Sequence, residues 1–241
     1  MKKYLLIVFL LITGIAAQSQ ILITLLLGDK LNSDGLEFGL EGGMNWTNIS
    51  GLETSDFARK WNLGFYFDIR LKNQWFLYTG VLVKSNFGVD KLSDNDLNLM
   101  EANIYYHNNG ERIAGDYDFK VNSFMVPVLA KYKFKNHLYV EAGPQFALMY
   151  KSWVEFTADA EDTEAVFKEF NKDKINKIDA GLMAGIGYTL FDGTGWTIGA
   201  KYYYGFVNVL KGVSGTNNSS FFIKMNIPIG AAKKPEKKKK N

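Results

Sequence analysis

General acid–base chemistry near neutral pH runs most often through histidine, and this 241-residue chain has two, His107 and His137. His107 lies in a polar stretch, 88–118, beside Tyr105, Tyr106, Asn108 and Glu111. With Ser85 or Asp116 as its companion it would make a hydrolytic site on a loop, but no nucleophile motif accompanies it, so an enzyme reading through His107 ranks last. His137 follows Lys135-Asn136 in a turn sequence, where a solvated residue is the plain expectation. Asp90, Asp94, Asp96 and Glu101 in DKLSDNDLNLME suggest calcium by type but not by spacing. Gly181, Gly185 and Gly187 lack the third glycine that opens a helix in a dinucleotide fingerprint. With no cysteine there are no disulfides or thiolate ligands. We therefore expect no catalytic residues, no cofactor and no metal site.

The other ionisable residues follow a different logic, seen best in KWNLGFYFDIRLKNQWFLYTGVLVK at 60–84. Trp61, Leu63, Phe65, Phe67, Ile69 and Leu71 share one face of an extended chain, and Asp68 and Arg70 fall on the other. The same period of two recurs in eight segments, roughly 36–48, 60–71, 75–87, 119–134, 138–150, 177–190, 195–207 and 219–230. Their connections alternate in length. Lys72-Asn73-Gln74, Lys135-Asn136-His137 and Phe191-Asp192-Gly193-Thr194 are tight turns, while 49–59, 88–118, 151–176 and 208–218 are longer and polar.

Such a pattern predicts an all-β fold, an eight-stranded antiparallel transmembrane β-barrel of up-and-down meander type spanning 36–230. The apolar face meets lipid, with Trp46, Trp61, Trp75, Tyr150 and Trp196 as an aromatic girdle near strand ends. A water-soluble barrel with its aromatics turned inward is the competing fold. The opposite face carries Glu37, Glu41, Asp68, Arg70, Lys84, Lys131, Lys133, Glu141, Asp179, Lys201 and Lys224. In a barrel this narrow those charges are expected to pair inside the lumen and close it. In the second long loop, AEDTEAVFKEF at 160–170 reads as a short helix, acidic in its first turn and apolar at Val166, Phe167 and Phe170.

The ends are read separately. Lys2 and Lys3, the apolar run Tyr4 to Ile12 and the small residues Ala16, Ala17 and Ser19 predict a signal peptide over 1–19, leaving Gln20 as the new N-terminus. Residues 20–35 contain ILITLLLGDKLNSDG at 21–35, too short for a membrane helix. They are expected to fold in the periplasm against the barrel mouth or to add a strand. The tail at 231–241 has six Lys against Glu236, a basic and disordered end. Because the tail carries five net charges and Lys2 and Lys3 two more, a whole-chain charge of +3 hides an acidic body. No nucleic-acid partner is implied. Long loops 88–115 and 151–177 hold five acids to two bases and seven to five, an outer surface suited to weak cation-bridged contact with lipopolysaccharide.

Four segments carry a family likeness: NSFMVPVLAKYKF (122–134), LYVEAGPQFALMY (138–150), IDAGLMAGIGYTL (178–190) and YYYGFVNV (202–209). A strand with a central Pro, a short turn, an E-A-G-P strand and a G-x-G-Y strand, in this order, resemble the PorT-like outer-membrane β-barrel proteins of Bacteroidetes. Here the last strand ends Ile227-Pro228-Ile229-Gly230 rather than on an aromatic. The turn and loop asymmetry with an even strand count puts both termini in the periplasm and the long loops outside, and the resemblance implies bacterial outer-membrane residence. It also implies lipid and lipopolysaccharide neighbours, and envelope or protein-secretion proteins as partners, since one family member is tied to type IX secretion. The expected function is non-enzymatic, of structural or interaction type, with a narrow porin-like channel as the alternative.

Overall fold

The computed structural model describes residues 33, 35–54, 56–158, 165–193 and 195–229. The expected signal peptide, most of the 20–35 segment and the lysine tail lie outside the described residues. Nine strands form in chain order: β1 Leu36–Ile49, β2 Ala58–Lys72, β3 Trp75–Val89, β4 Gly115–Lys133, β5 Leu138–Ala158, β6 Ala165–Phe170, β7 Ile178–Thr189, β8 Thr197–Asn208 and β9 Asn217–Pro228. Each pairs antiparallel with its neighbour, and β1 pairs with β9 from Gly39↔Pro228 to Ile49↔Asn218. Eight strands thus close a ring, with β6 outside it. All backbone donors of a ring find partners, which is what lets strands cross lipid.

The strands form where alternation is strict and stop where the turn chemistry requires it. Between β2 and β3 the connection is Asn73-Gln74, and Asn73 takes φ 54, a left-handed conformation that Asn tolerates well. His137 plays that role before β5, at φ 70. These turns and the 190–196 connection lie at one end of the ring, called here the turn end. At the loop end sit the described residues of 50–57, 90–114, 159–177 and 209–216.

Strand lengths are unequal. β4 and β5 run for 19 and 21 residues, against 12 each for β7, β8 and β9. Beyond Leu148, β5 leaves β7, and from Trp153 it takes β6 as its partner. Together β4, β5 and β6 make a three-stranded fin above the ring. Ala165–Phe170, expected as part of a helix, is therefore a strand. Its apolar residues instead go to both faces of the fin. Phe167 pairs with Phe156 on the inner side, and Phe170 with Trp153 on the outer. Register over the neighbouring strand overrides the weak helical pattern.

Outside the ring the apolar face is bare: Leu63, Phe146, Leu182, Ile198, Phe206 and Ile223 are all exposed, and so are many like them. A continuous belt of this kind far exceeds the patches that water-soluble monomers tolerate. Bilayer is the solvent it fits.

Candidate functional site

Inside the ring, side chains fill the lumen in three layers that differ in chemistry. Nearest the turn end is a layer of charge. Glu41, Asp68, Lys131, Glu141, Lys201 and Lys224 are each at most 2% exposed. Lys131 Nζ lies 2.9 Å from Asp68 Oδ2 and 3.9 Å from Glu141 Oε2. Lys201 Nζ lies 2.6 Å from Glu41 Oε1, and Lys224 Nζ 2.6 Å from Glu141 Oε1. Lys133, partly exposed, adds a second contact to Asp68 at 2.8 Å. Three carboxylates and three fully buried ammonium groups thus balance, which burial of charge requires.

The pairs reach across the ring, not along one strand. Asp68 is on β2 and Lys131 on β4; Lys201 is on β8 and Glu41 on β1; Lys224 on β9 finds Glu141 on β5. Tyr78 stands among them. The ammonium groups of Lys224, Lys131 and Lys201 lie 4.1, 4.8 and 5.5 Å from its ring centroid, and Asn226 Nδ2 donates to its hydroxyl at 3.3 Å. Tyr139 receives Lys131 at 4.2 Å from its centroid, and its hydroxyl rests against Gly187 and Gly199, which face each other across β7 and β8. A Cβ on either glycine would collide with that hydroxyl.

The middle layer is polar and neutral save for one group. Asn45, Asn62, Ser85, Ser123, Gln145, Asn218 and Ser220 are buried here. Both amide atoms of Asn62, Asn45 Oδ1, Gln145 Oε1 and Ser220 Oγ lack a protein partner among the described residues, so water is their natural complement. Asp179 belongs to this layer. It is fully buried, with Asn218 Nδ2 at 3.4 Å and no ion-pair partner among the described residues.

Apolar residues close the loop end. Val89, Leu92, Leu97, Met100, Ile175 and Leu210 are buried in one cluster with Tyr117, Phe119 and Phe156. A short helix, α1 Asp94–Leu99, carries part of this cap, and Ser93 and Asp96 form its capping box. Asp96 does more: it accepts from the backbone N–H of Glu53 at 2.7 Å and Thr54 at 3.1 Å, joining the 50–57 loop to the 90–114 loop. Lys174 donates to the carbonyls of Met100 and Glu101 at 3.1 and 3.0 Å, and Ile175 bridges Leu210. The four loops are thereby tied to one another. Of the expected solvated acids, Asp90 pairs with Lys60 at 3.0 Å and Asp94 with Arg112 at 2.6 Å.

Beyond the ring, the fin has its own charged knot. Glu155 takes an ammonium hydrogen bond from Lys120, an indole hydrogen bond from Trp153 at 3.0 Å and an ion pair from Lys168 at 3.3 Å. Burial pushes its carboxyl up, but these partners outweigh burial and bring it down to about 2.

Several expected lumen residues are placed elsewhere. Lys84 is on the outer face, because an extra residue in β3 shifts the register between Leu63↔Lys84 and Gly64↔Leu82 and inverts the alternation. Its ammonium lies 3.8 Å from the centroid of Trp61. Arg70 is exposed at the turn-end rim, 5.5 Å from the centroid of Phe76. Glu37 is half-buried at the same rim and accepts from Tyr66 Oη at 2.8 Å. As for the girdle residues, Trp75 and Trp196 lie at the turn end, exposed, while Trp61 is exposed nearer the loop end. Trp46 packs on Phe221 and Tyr150 on Phe124, with centroids 6.1 and 4.8 Å apart. Ser85 is buried in the lumen, bonded to Met125 Sδ at 3.1 Å, whereas His107 is exposed in the 90–114 loop and Asp116 is exposed on β4. The hydrolytic grouping does not assemble.

Residues 17–211 match the family model for the outer membrane protein beta-barrel domain. No curated protein matches the chain. Among solved structures it is similar to Ail, the attachment invasion locus protein of Yersinia pestis, crystallised with the heparin analogue sucrose octasulfate. That likeness has 10% identity, covers 82% of this chain and 100% of that one, and has a TM-score of 0.44. Neisserial surface protein A has 12% identity, 80% and 99% coverage and a TM-score of 0.43. OprG from Pseudomonas aeruginosa has 9% identity, 81% and 95% coverage and a TM-score of 0.36.

Proposed function

This chain belongs to the outer membrane protein β-barrel domain family and resides in the bacterial outer membrane, and from that premise we propose that it is a non-enzymatic barrel of structural and interaction type. The observation that carries this reading is the balanced charge layer, Glu41, Asp68 and Glu141 against Lys131, Lys201 and Lys224, buried across the ring. Moving an ion past it means breaking pairs whose remaining partners would stay buried. Function then falls to the surfaces: the tied loops and the fin, facing outward, with both chain ends in the periplasm. The PorT-like motifs support a finer role, as an accessory of an envelope or protein-secretion assembly.

Planar-bilayer recording tests the closed lumen. The expected trace has no reproducible unitary steps; steady single-channel openings would favour the narrow channel, for which the polar middle layer is the supporting observation. Crosslinking in intact envelopes followed by identification of copurified proteins tests the assembly role, and recovery of lipid alone would count against it.

A further inference from the structure

Two of the register shifts in the ring do the same thing. In β3 the shift lies between Leu82 and Ser85, which are both buried, and it turns Lys84 outward onto Trp61. In β5 the pairs Ser123↔Met149 and Asn122↔Lys151 leave Tyr150 as the inserted residue. Met149 and Ser152 are buried, so Lys151 is turned outward, its ammonium 5.2 Å from the centroid of Trp153 and 5.1 Å from that of Phe170. Neither lysine has an ion-pair partner among the described residues.

Each lysine stands where the apolar outer face ends on the loop side. On β5 the outward series runs Phe146, Leu148, Tyr150 and then Lys151; on β2 it runs Leu63, Trp61, over whose ring Lys84 lies, and then the exposed Arg59. On β8, β9 and β1 the corresponding first polar residues are Asn208, Ser219 and Asn48, all neutral. Lys120 on β4 and Lys177 just before β7 add positive charge on the loop side, Lys120 being paired with Asp118 and Glu155; Lys84 and Lys151 are the two that a bulge turns outward and an indole backs. A lysine pointing at mid-bilayer lipid is costly, and the cost nearly vanishes at the interface, where its head reaches the headgroups. Anionic headgroups add attraction to an ammonium held on an aromatic face.

We propose that the two bulges build a pair of sites for the phosphate groups of an outer-leaflet glycolipid, Lys84 with Trp61 and Arg59 forming one, Lys151 with Trp153 and Phe170 the other. The inference rests on the loop end facing outward. Native mass spectrometry of the full chain in neutral detergent, supplied with bisphosphorylated lipid A or its dephosphorylated form, provides the test. The parent retains up to two phosphorylated lipids, Lys84→Gln or Lys151→Gln retains one, and the double variant none, while Lys→Arg at both positions restores both. Heat-modifiable gel mobility shows that each variant is folded. Equal retention by the double variant, equal retention of the dephosphorylated lipid, or displacement by inorganic phosphate would each overturn the proposal. Orientation is checked separately, by whole-cell labelling of an Asn109→Cys variant of this cysteine-free chain with an impermeant maleimide; its failure would sink the outward-loop reading without touching the mass-spectrometric result.

Discussion

The two ends of the lumen are closed by opposite means. At the turn end the closing groups are charged and borne by the strands themselves, one from each of β1, β2, β4, β5, β8 and β9. At the loop end they are apolar and borne largely by loops, with a single carboxylate, Asp96, tying two of those loops together. A closure made by strand residues cannot open without deforming the ring. A closure made by loops can be lost while the ring stands. The difference separates the stability of the barrel from the stability of its cap, and substitutions can expose it.

The largest effect is expected from Glu141→Ala, which strips the carboxylate from Lys224 and Lys131 together. About 3–5 kcal/mol of unfolding stability should go with it, read by denaturant titration in detergent. A Glu141→Leu, Lys224→Met double variant should recover most of that loss, and if it is as unstable as the single variant, pairing is not what matters. Next, Asp96→Ala leaves three backbone N–H groups without their acceptor and should cost about 1–3 kcal/mol. The cost should appear as faster hydrogen exchange in 50–57 and 93–100 with an unchanged unfolding midpoint for the ring. A matching fall in the midpoint would erase the distinction between ring and cap. Tyr78→Phe keeps the ring among the lysines but removes the hydroxyl that Asn226 meets, a loss of about 0.5–1.5 kcal/mol in the same titration.

The smallest effect concerns the fin. Glu155 is lowered in the folded chain from its ordinary 4.5 to about 2. Its contribution is thus fully present above about 4.5 and is lost as pH falls through about 2. Exchange protection at Ala165–Phe170, taken relative to the intrinsic rate at each pH, should fall over that window, and Glu155→Gln should abolish that pH dependence of the protection while leaving the charge layer untouched.

Ring and irregularities differ in how legible they are. Eight strands follow from alternation alone, because a period of two with one apolar face is what a lipid-facing sheet dictates. The observed strand ends lie within a few residues of those expected, save that β4 and β5 run on into the fin. That extension leaves no simple trace in the sequence, since the inserted Tyr150 inverts the alternation halfway along β5. β6 was hidden for a related reason. Six residues with apolar groups at 166, 167 and 170 fit a helix or a strand, and only the neighbouring extension of β5 decides. Lys84 departs from its expected face through the same kind of event in β3. Ion-pair partners across the lumen depend on register and strand tilt, which no local pattern encodes. The polar middle layer did leave a signal, in Asn45, Asn62, Gln145, Asn218 and Ser220 on the inward positions, but uncharged residues at alternate sites attract less notice than charges do.

The seam between β1 and β9 joins residues as far apart as Gly39 and Pro228. Contacts this distant in sequence form late, because nearly the whole chain must be ordered before they reward its loss of freedom. Until that moment the nascent sheet has two raw edges, and hydrocarbon offers neither of them a hydrogen bond. Barrel assembly is therefore an all-or-none event timed by the last strand, and a chain arrested before β9 has no stable resting place in the membrane.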